Sequence, residues 1–144
     1  MWIEYIKSVS DDFEFAQPAT DQALEKAEST LGLSFPTELR DLLKETNGVE
    51  QRSAFLLFIL SVERIENDNF EMRHTQALSF YIPFNNLLFF ADAGNGDKFG
   101  FPISQDGNIG KDVFIWNHED DSRSWRAPSL KTFIQWWQEG KVKS

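Results

Sequence analysis

The sequence predicts an α+β domain in which a mostly antiparallel, twisted sheet is covered by helices. Two segments in the first third of the 144 residues carry apolar side chains at three-and-four spacing. From Tyr81 onward the texture changes to short apolar runs separated by glycine-bearing turns, and a final helical stripe closes the chain. Strands joined by tight turns are antiparallel, because parallel neighbours need a crossover of about a dozen residues or more. Helices gathered beside such a sheet give the α+β class rather than the alternating α/β one.

The elements follow in order. Over 20–31, Leu24, Ala27, Glu28 and Leu31 share one helical face, while Gln22, Glu25, Lys26 and Ser29 lie opposite. Thr20 or Asp21 can accept from the free amides at the start, and Gly32 can take the left-handed geometry that stops the helix. Pro36 suits the first turn of a second helix, since its missing N–H would have no partner there. Leu39, Leu42 and Leu43 mark that helix's stripe, Asn47-Gly48 ends it, and the two helices are expected to form a helical hairpin. The apolar run 54–60 has strand length and reads as buried. Ser61 is placed to cap a third helix through Val62, Ile65 and Phe70, with Glu63 near the positive end of its dipole, although Asn67-Asp68-Asn69 is poor helix material. Strands are expected at 87–91, 98–103 and 113–116, joined by Gly94-Asn95-Gly96-Asp97 and Asp106-Gly107-Asn108. Ser129 opens the last helix, with Leu130, Phe133, Ile134 and Trp137 on one face; Lys141 and Lys143 complement its negative end.

Composition sets the bounds. Hydrophobic residues make up 41% of the chain, including 14 Phe and 5 Trp, enough for a single domain over 1–144 with its own core. There is no cysteine, so neither disulfides nor thiolate metal sites arise. The N-terminal segment carries Glu4 and lacks a basic region followed by an apolar run, which is unlike a secretory signal. The longest apolar run is seven residues, against about 20 for a membrane helix. A cytoplasmic protein without a membrane span is expected. The net charge is −9, with 11 acidic and 4 basic side chains in residues 1–50. That balance opposes direct nucleic-acid binding, which needs basic groups to displace counterions from phosphates; it can attract a basic protein partner, and fits equally a soluble protein that is acidic for no special reason.

Chemical motifs are sparse. Gly94-Asn95-Gly96-Asp97 is followed by strand-like Lys98-Phe99-Gly100-Phe101 rather than by a helix, so it reads as a turn and not a phosphate loop. Asp92, Asn95 and Asp97 resemble part of a calcium loop but lack its twelve-residue spacing and closing Glu. His118-Glu119-Asp120-Asp121 puts one imidazole beside three carboxylates, and the only other histidine is His74. No Gly-x-Ser-x-Gly elbow is present. No catalytic residue, metal ligand or cofactor is assigned. The candidates for partner binding are Asp92, Asn95, Asp97, Trp116, Glu119, Asp120 and Asp121, turn and strand-end groups suited to a basic surface.

An ordered set of segments resembles the Smi/Knr-type proteins of the SUKH superfamily. It comprises Leu31-Gly32-Leu33-Ser34-Phe35-Pro36-Thr37-Glu38-Leu39 with Leu42-Leu43 and Asn47-Gly48; Leu88-Phe89-Phe90-Ala91 with Gly94-Asn95-Gly96-Asp97 and Phe99-Gly100-Phe101; Val113-Phe114-Ile115-Trp116-Asn117-His118-Glu119; and Ala127-Pro128-Ser129-Leu130-Lys131-Thr132-Phe133. The resemblance runs over about 18–137, weakest over 55–80, and departs from the usual pattern in having Phe35 where leucine commonly precedes the proline. It implies a mostly antiparallel mixed domain. It also implies a non-catalytic immunity protein that binds and neutralises a cognate toxin domain, in some cases a nuclease. The alternative it implies is a regulatory protein–protein scaffold like the fungal relatives.

Overall fold

In the computed structural model, which describes residues 1–75 and 81–142, the strands form one sheet against which the helices pack. The order is α1 (Trp2–Val9), β1 (Phe13–Phe15), α2 (Asp21–Leu31), α3 (Thr37–Glu45), β2 (Val49–Gln51), β3 (Leu56–Ile59), α4 (Val62–His74), β4 (Leu87–Asp92), β5 (Lys98–Pro102), β6 (Val113–Trp116), β7 (Arg123–Ala127) and α5 (Leu130–Gln138). The seven strands lie in sequence order, each antiparallel to the next. The α+β class and the antiparallel sheet are therefore as the sequence predicts. No helix among the described residues is long and apolar enough to cross a membrane.

The caps act where the sequence places them. Thr20, Ser61 and Ser129 accept from the backbone N–H of Ala23, Arg64 and Thr132, satisfying amides that have no partner inside the helix. Gly32 ends α2 at φ 68°, a region costly for a residue with a Cβ. Pro36 is the N-cap of α3, just outside its first turn rather than in it. The expected helical hairpin forms: Lys44 lies 3.4 Å from Asp21 and Arg40 3.3 Å from Glu28, an antiparallel register, and both helices feed one core, while α2 also lies on α4 and α3 on α1. The N-terminal arm adds to it: α1 packs on α3 and buries Ile6. Glu45, at the end of α3, accepts the N–H groups of Trp2 and Ile3 at 3.0 Å each and so caps α1 across 42 residues or more. Lys143 lies outside the described residues.

Alternation along the strands loads both faces of the sheet. Leu88 and Phe90, Phe99 and Phe101, and Val113 and Ile115 join the main core with the helices; Phe133 of α5 packs on Phe58, Phe90 and Phe99 at 4.6–5.5 Å between ring centroids. Leu87, Phe89 and Trp116 form a second cluster with Phe84, flanked by Met72, Tyr81 and Phe114. The sheet is split beyond the pairing of Ile59 with Ala91, where the chain leaves β3 for α4. There Asn69 replaces the missing strand. Its side chain accepts the Phe89 N–H and donates to the Phe89 carbonyl, both at 2.8 Å, and Arg73 donates to the Leu87 carbonyl at 3.1 Å. The residue that weakens the helix in sequence closes a strand edge in space.

Candidate functional site

In an antiparallel meander alternate connections fall at the same end. The β2–β3 turn (52–55), the β4–β5 turn (93–97) and the β6–β7 turn (117–122) thus form one rim. The β4–β5 turn lies between the other two, against Leu56 at the start of β3 and His118 of the β6–β7 turn. A Cβ on Gly94 would lie 3.6 Å from Leu56 Cδ2, and one on Gly96 would lie 2.9 Å from the His118 ring. Gly96, at φ 100°, is the residue that lets the imidazole lie flat on the turn.

All seven sequence candidates fall on the two hairpins that build most of this rim, and the structure sorts them by what they touch. Asp97 is buried, 3% exposed, and receives the His118 N–H at 3.0 Å with His118 Nδ1 2.5 Å away. Trp116 is buried in the second core cluster and donates from Nε1 to Asp121 Oδ1 at 2.7 Å. Asp121 also accepts from the Ile82 N–H at 2.8 Å and from Arg123 Nη2 at 3.0 Å, and takes a left-handed φ of 61° to do so. Burial pushes its pKa up, but the bonds from Ile82, Arg123 and Trp116 together outweigh that and hold it below the usual carboxylate value. These three side chains fasten the rim to the body.

The other four shape the turns and stay accessible. Asp92 accepts the Gly94 N–H at 2.8 Å and lies 3.9 Å from Lys98 Nζ. Asn95 accepts the Asp97 N–H at 3.0 Å. Asp120 accepts the Ser122 N–H at 2.9 Å, and its bonds with Ser122 lower its pKa. Glu119 is exposed, with its own N–H given to Asn117 Oδ1 at 2.8 Å. Each carboxylate bond to a local backbone N–H fixes a short turn and leaves negative charge facing outward.

Arg123 ties the rim to the segment that closes the second core cluster. It donates to the carbonyls of Ile82 (2.5 Å) and Pro83 (3.0 Å) and to Asn86 Oδ1 (2.8 Å), and its guanidinium lies 4.7 Å from the Phe84 ring centroid. Sequence reading missed this role because the partners stand about 40 positions away. It also missed Phe55. Placed inside the apolar run 54–60, Phe55 reads as buried strand. The strand in fact starts at Leu56, and Phe55 ends the turn 98% exposed at φ 49°.

With Asp97 buried and Asp121 paired with Arg123, the rim turns keep the carboxylates of Asp92, Glu119 and Asp120 accessible, with Arg52 and Lys98 beside them. That is a rigid, acidic surface, suited to selecting a cationic partner by charge. The family model described as SUKH_6: SMI1-KNR4 cell-wall matches residues 21–134, which run from the start of α2 into α5 and take in all three rim turns. No curated protein matches the chain.

Proposed function

Because the chain belongs to the SUKH family of Smi/Knr-type proteins, we propose that it is a non-catalytic immunity protein that binds and neutralises a cognate toxin domain with a basic, nuclease-like surface. The acidic rim is the observation that supports this reading: adjacent turns at one end of the sheet that present Asp92, Glu119 and Asp120, with Asp92 and Asp120 held in place by backbone bonds. A preformed surface loses little conformational entropy on docking. Its charge repels nucleic acid while it attracts the cationic ground on which a nuclease holds phosphates. The toxin is thus held by shape and charge with its substrate groove covered, and no bond is made or broken on the immunity protein.

The test is co-expression with the C-terminal domain of a large toxin-like protein encoded by the adjacent reading frame. Restored growth and a stable complex through gel filtration are the expected results. Absence of both overturns the assignment, as does purified protein turning over a substrate in a way that a single polar substitution abolishes.

A further inference from the structure

Phe55 stands apart from every other aromatic residue described. It is 98% exposed, whereas the next most exposed aromatic, Trp125, is 47% exposed. Isolated apolar residues on a surface are ordinary, but this one is also held in left-handed geometry at φ 49°. A side chain with a Cβ costs roughly 1–2 kcal/mol there, a cost that glycine escapes. The turn itself is secured independently of the ring. The Phe55 N–H donates to the Arg52 carbonyl at 3.1 Å, Ser53 N–H donates to Asp12 Oδ1 at 3.0 Å, and Arg52 Nη2 reaches the Asp11 carbonyl at 2.7 Å. The benzyl group therefore contributes neither to the core nor to the turn's closure, and it is displayed beside Leu56, whose side chain meets the β4–β5 turn at Gly94.

We propose that Phe55 is the apolar anchor of the partner-binding surface. Its ring enters an apolar pocket of a basic protein, while the accessible carboxylates of Asp92, Glu119 and Asp120, on the other turns of the same rim, guide approach. This rests on the binding function proposed above and adds the residue that holds the complex once it has formed. Charge complementarity selects the occupant. An aromatic ring at the edge of an acidic rim, on a chain of net charge −9, is repelled by an anionic membrane or a nucleic acid, and a second copy of this chain would bring like charges together. Aromatic side chains on rigid turns are the usual sites where binding energy concentrates, with charges around them acting on association rate.

The two roles separate kinetically. Binding of the adjacent-frame toxin domain would be followed by stopped-flow and surface plasmon resonance for the native chain, for Phe55→Gly, and for Glu119→Gln with Asp120→Asn. Phe55→Gly should speed dissociation about thirtyfold, as removal of a dominant contact does, with little change in association. The acidic pair should slow association at low salt and leave dissociation nearly unchanged. Because glycine relieves the left-handed strain, the urea midpoint of Phe55→Gly should equal or exceed the native one, so that lost affinity cannot be ascribed to unfolding. Native binding with dissociation changed less than threefold in Phe55→Gly would refute the anchor and leave the immunity reading intact. No native binding removes both. A native dimer in sedimentation equilibrium that Phe55→Gly dissolves would assign the ring to self-association and end the proposal.

Discussion

The two faces of the sheet are closed by different physics. On one face, Phe58, Phe90, Phe99 and Phe133 meet Ile6, Leu39, Leu42, Leu43 and Ile134 from the covering helices, and contact between apolar groups supplies the cohesion. On the other, a small cluster around Phe84, Phe89 and Trp116 is held shut by directed polar bonds. Asn69 bonds both backbone groups of Phe89, Arg123 grasps the Ile82 and Pro83 carbonyls, and Asp121 joins the Trp116 indole to the Ile82 N–H. Apolar packing is graded and shared by many neighbours, whereas a buried hydrogen bond is specific and is lost whole when one partner goes. The acidic rim grows out of the second face through Trp116 and Asp121, so the positions of its carboxylates depend on the directed bonds.

The sharpest test of this contrast begins on the helix-covered face. Phe58 is fully buried and stacks with Phe13, Phe133 and Trp137 at 4.8–6.0 Å between centroids. Phe58→Ala should cost about 3–5 kcal/mol through lost transfer energy and the cavity left behind, seen as a lower urea midpoint. Slow amides throughout the fold should exchange faster together, since cohesion there is collective. Selective deprotection of one strand alone would contradict the contrast.

Asn69→Leu probes the other face at nearly constant volume. The Phe89 N–H and carbonyl would lose their partners inside the protein, at about 1–3 kcal/mol per unsatisfied group. A total loss of about 3 kcal/mol is expected. Hydrogen exchange should quicken most at the Phe89 amide, with helix amides elsewhere following only the global change. Exchange no faster at Phe89 than at Phe99 would mean that Asn69 is not the substitute for the missing strand.

These contrasts also explain what the sequence reveals. Helix caps at Thr20, Ser61 and Ser129, the stop at Gly32 and the strand Val113–Trp116 are local, chemical signals, and all are legible. The short strands Phe13–Phe15, Val49–Gln51 and Arg123–Ala127 are not, because three to five residues carry too little alternation, and Arg123–Ala127 mixes charge with its apolar members. The Asn-rich stretch that looks unfavourable for a helix is repaid by the tertiary bonds of Asn69, which no local rule contains. At the rim, the turns themselves are legible from their glycines. Which carboxylates face inward is not: Asp120 and Asp121 are chemical twins in sequence, and the bonds from the Trp116 indole, Arg123 and the Ile82 N–H, the last 39 positions away, draw one of them in. Phe55 fails for the opposite reason, since apolarity points to burial and only the backbone turn places it outside.

The smallest expected effect separates the faces by pH. The charge of Asp121 is stabilised in the fold, its pKa lying below the ordinary value because the bonds from Ile82, Arg123 and Trp116 outweigh the effect of burial. The unfolded chain therefore binds this proton more readily than the folded one, and the group's contribution is present above the unfolded pKa of about 4 and lost as pH falls through the lower folded value. Asp121→Asn keeps one acceptor oxygen and removes the charge. It should lower stability by about 1 kcal/mol at pH 7, the scale of one charge-assisted contact near the surface. That deficit should shrink as the pH drops below about 4, where the native aspartate is itself being protonated. Phe58→Ala, which alters no titrating group, should show a deficit of constant size over the same range. Urea midpoints of both variants measured from pH 7 to pH 3 check this. Parallel pH profiles for the two would mean that the second face is held by packing after all, and that the rim does not owe its position to the charge on Asp121.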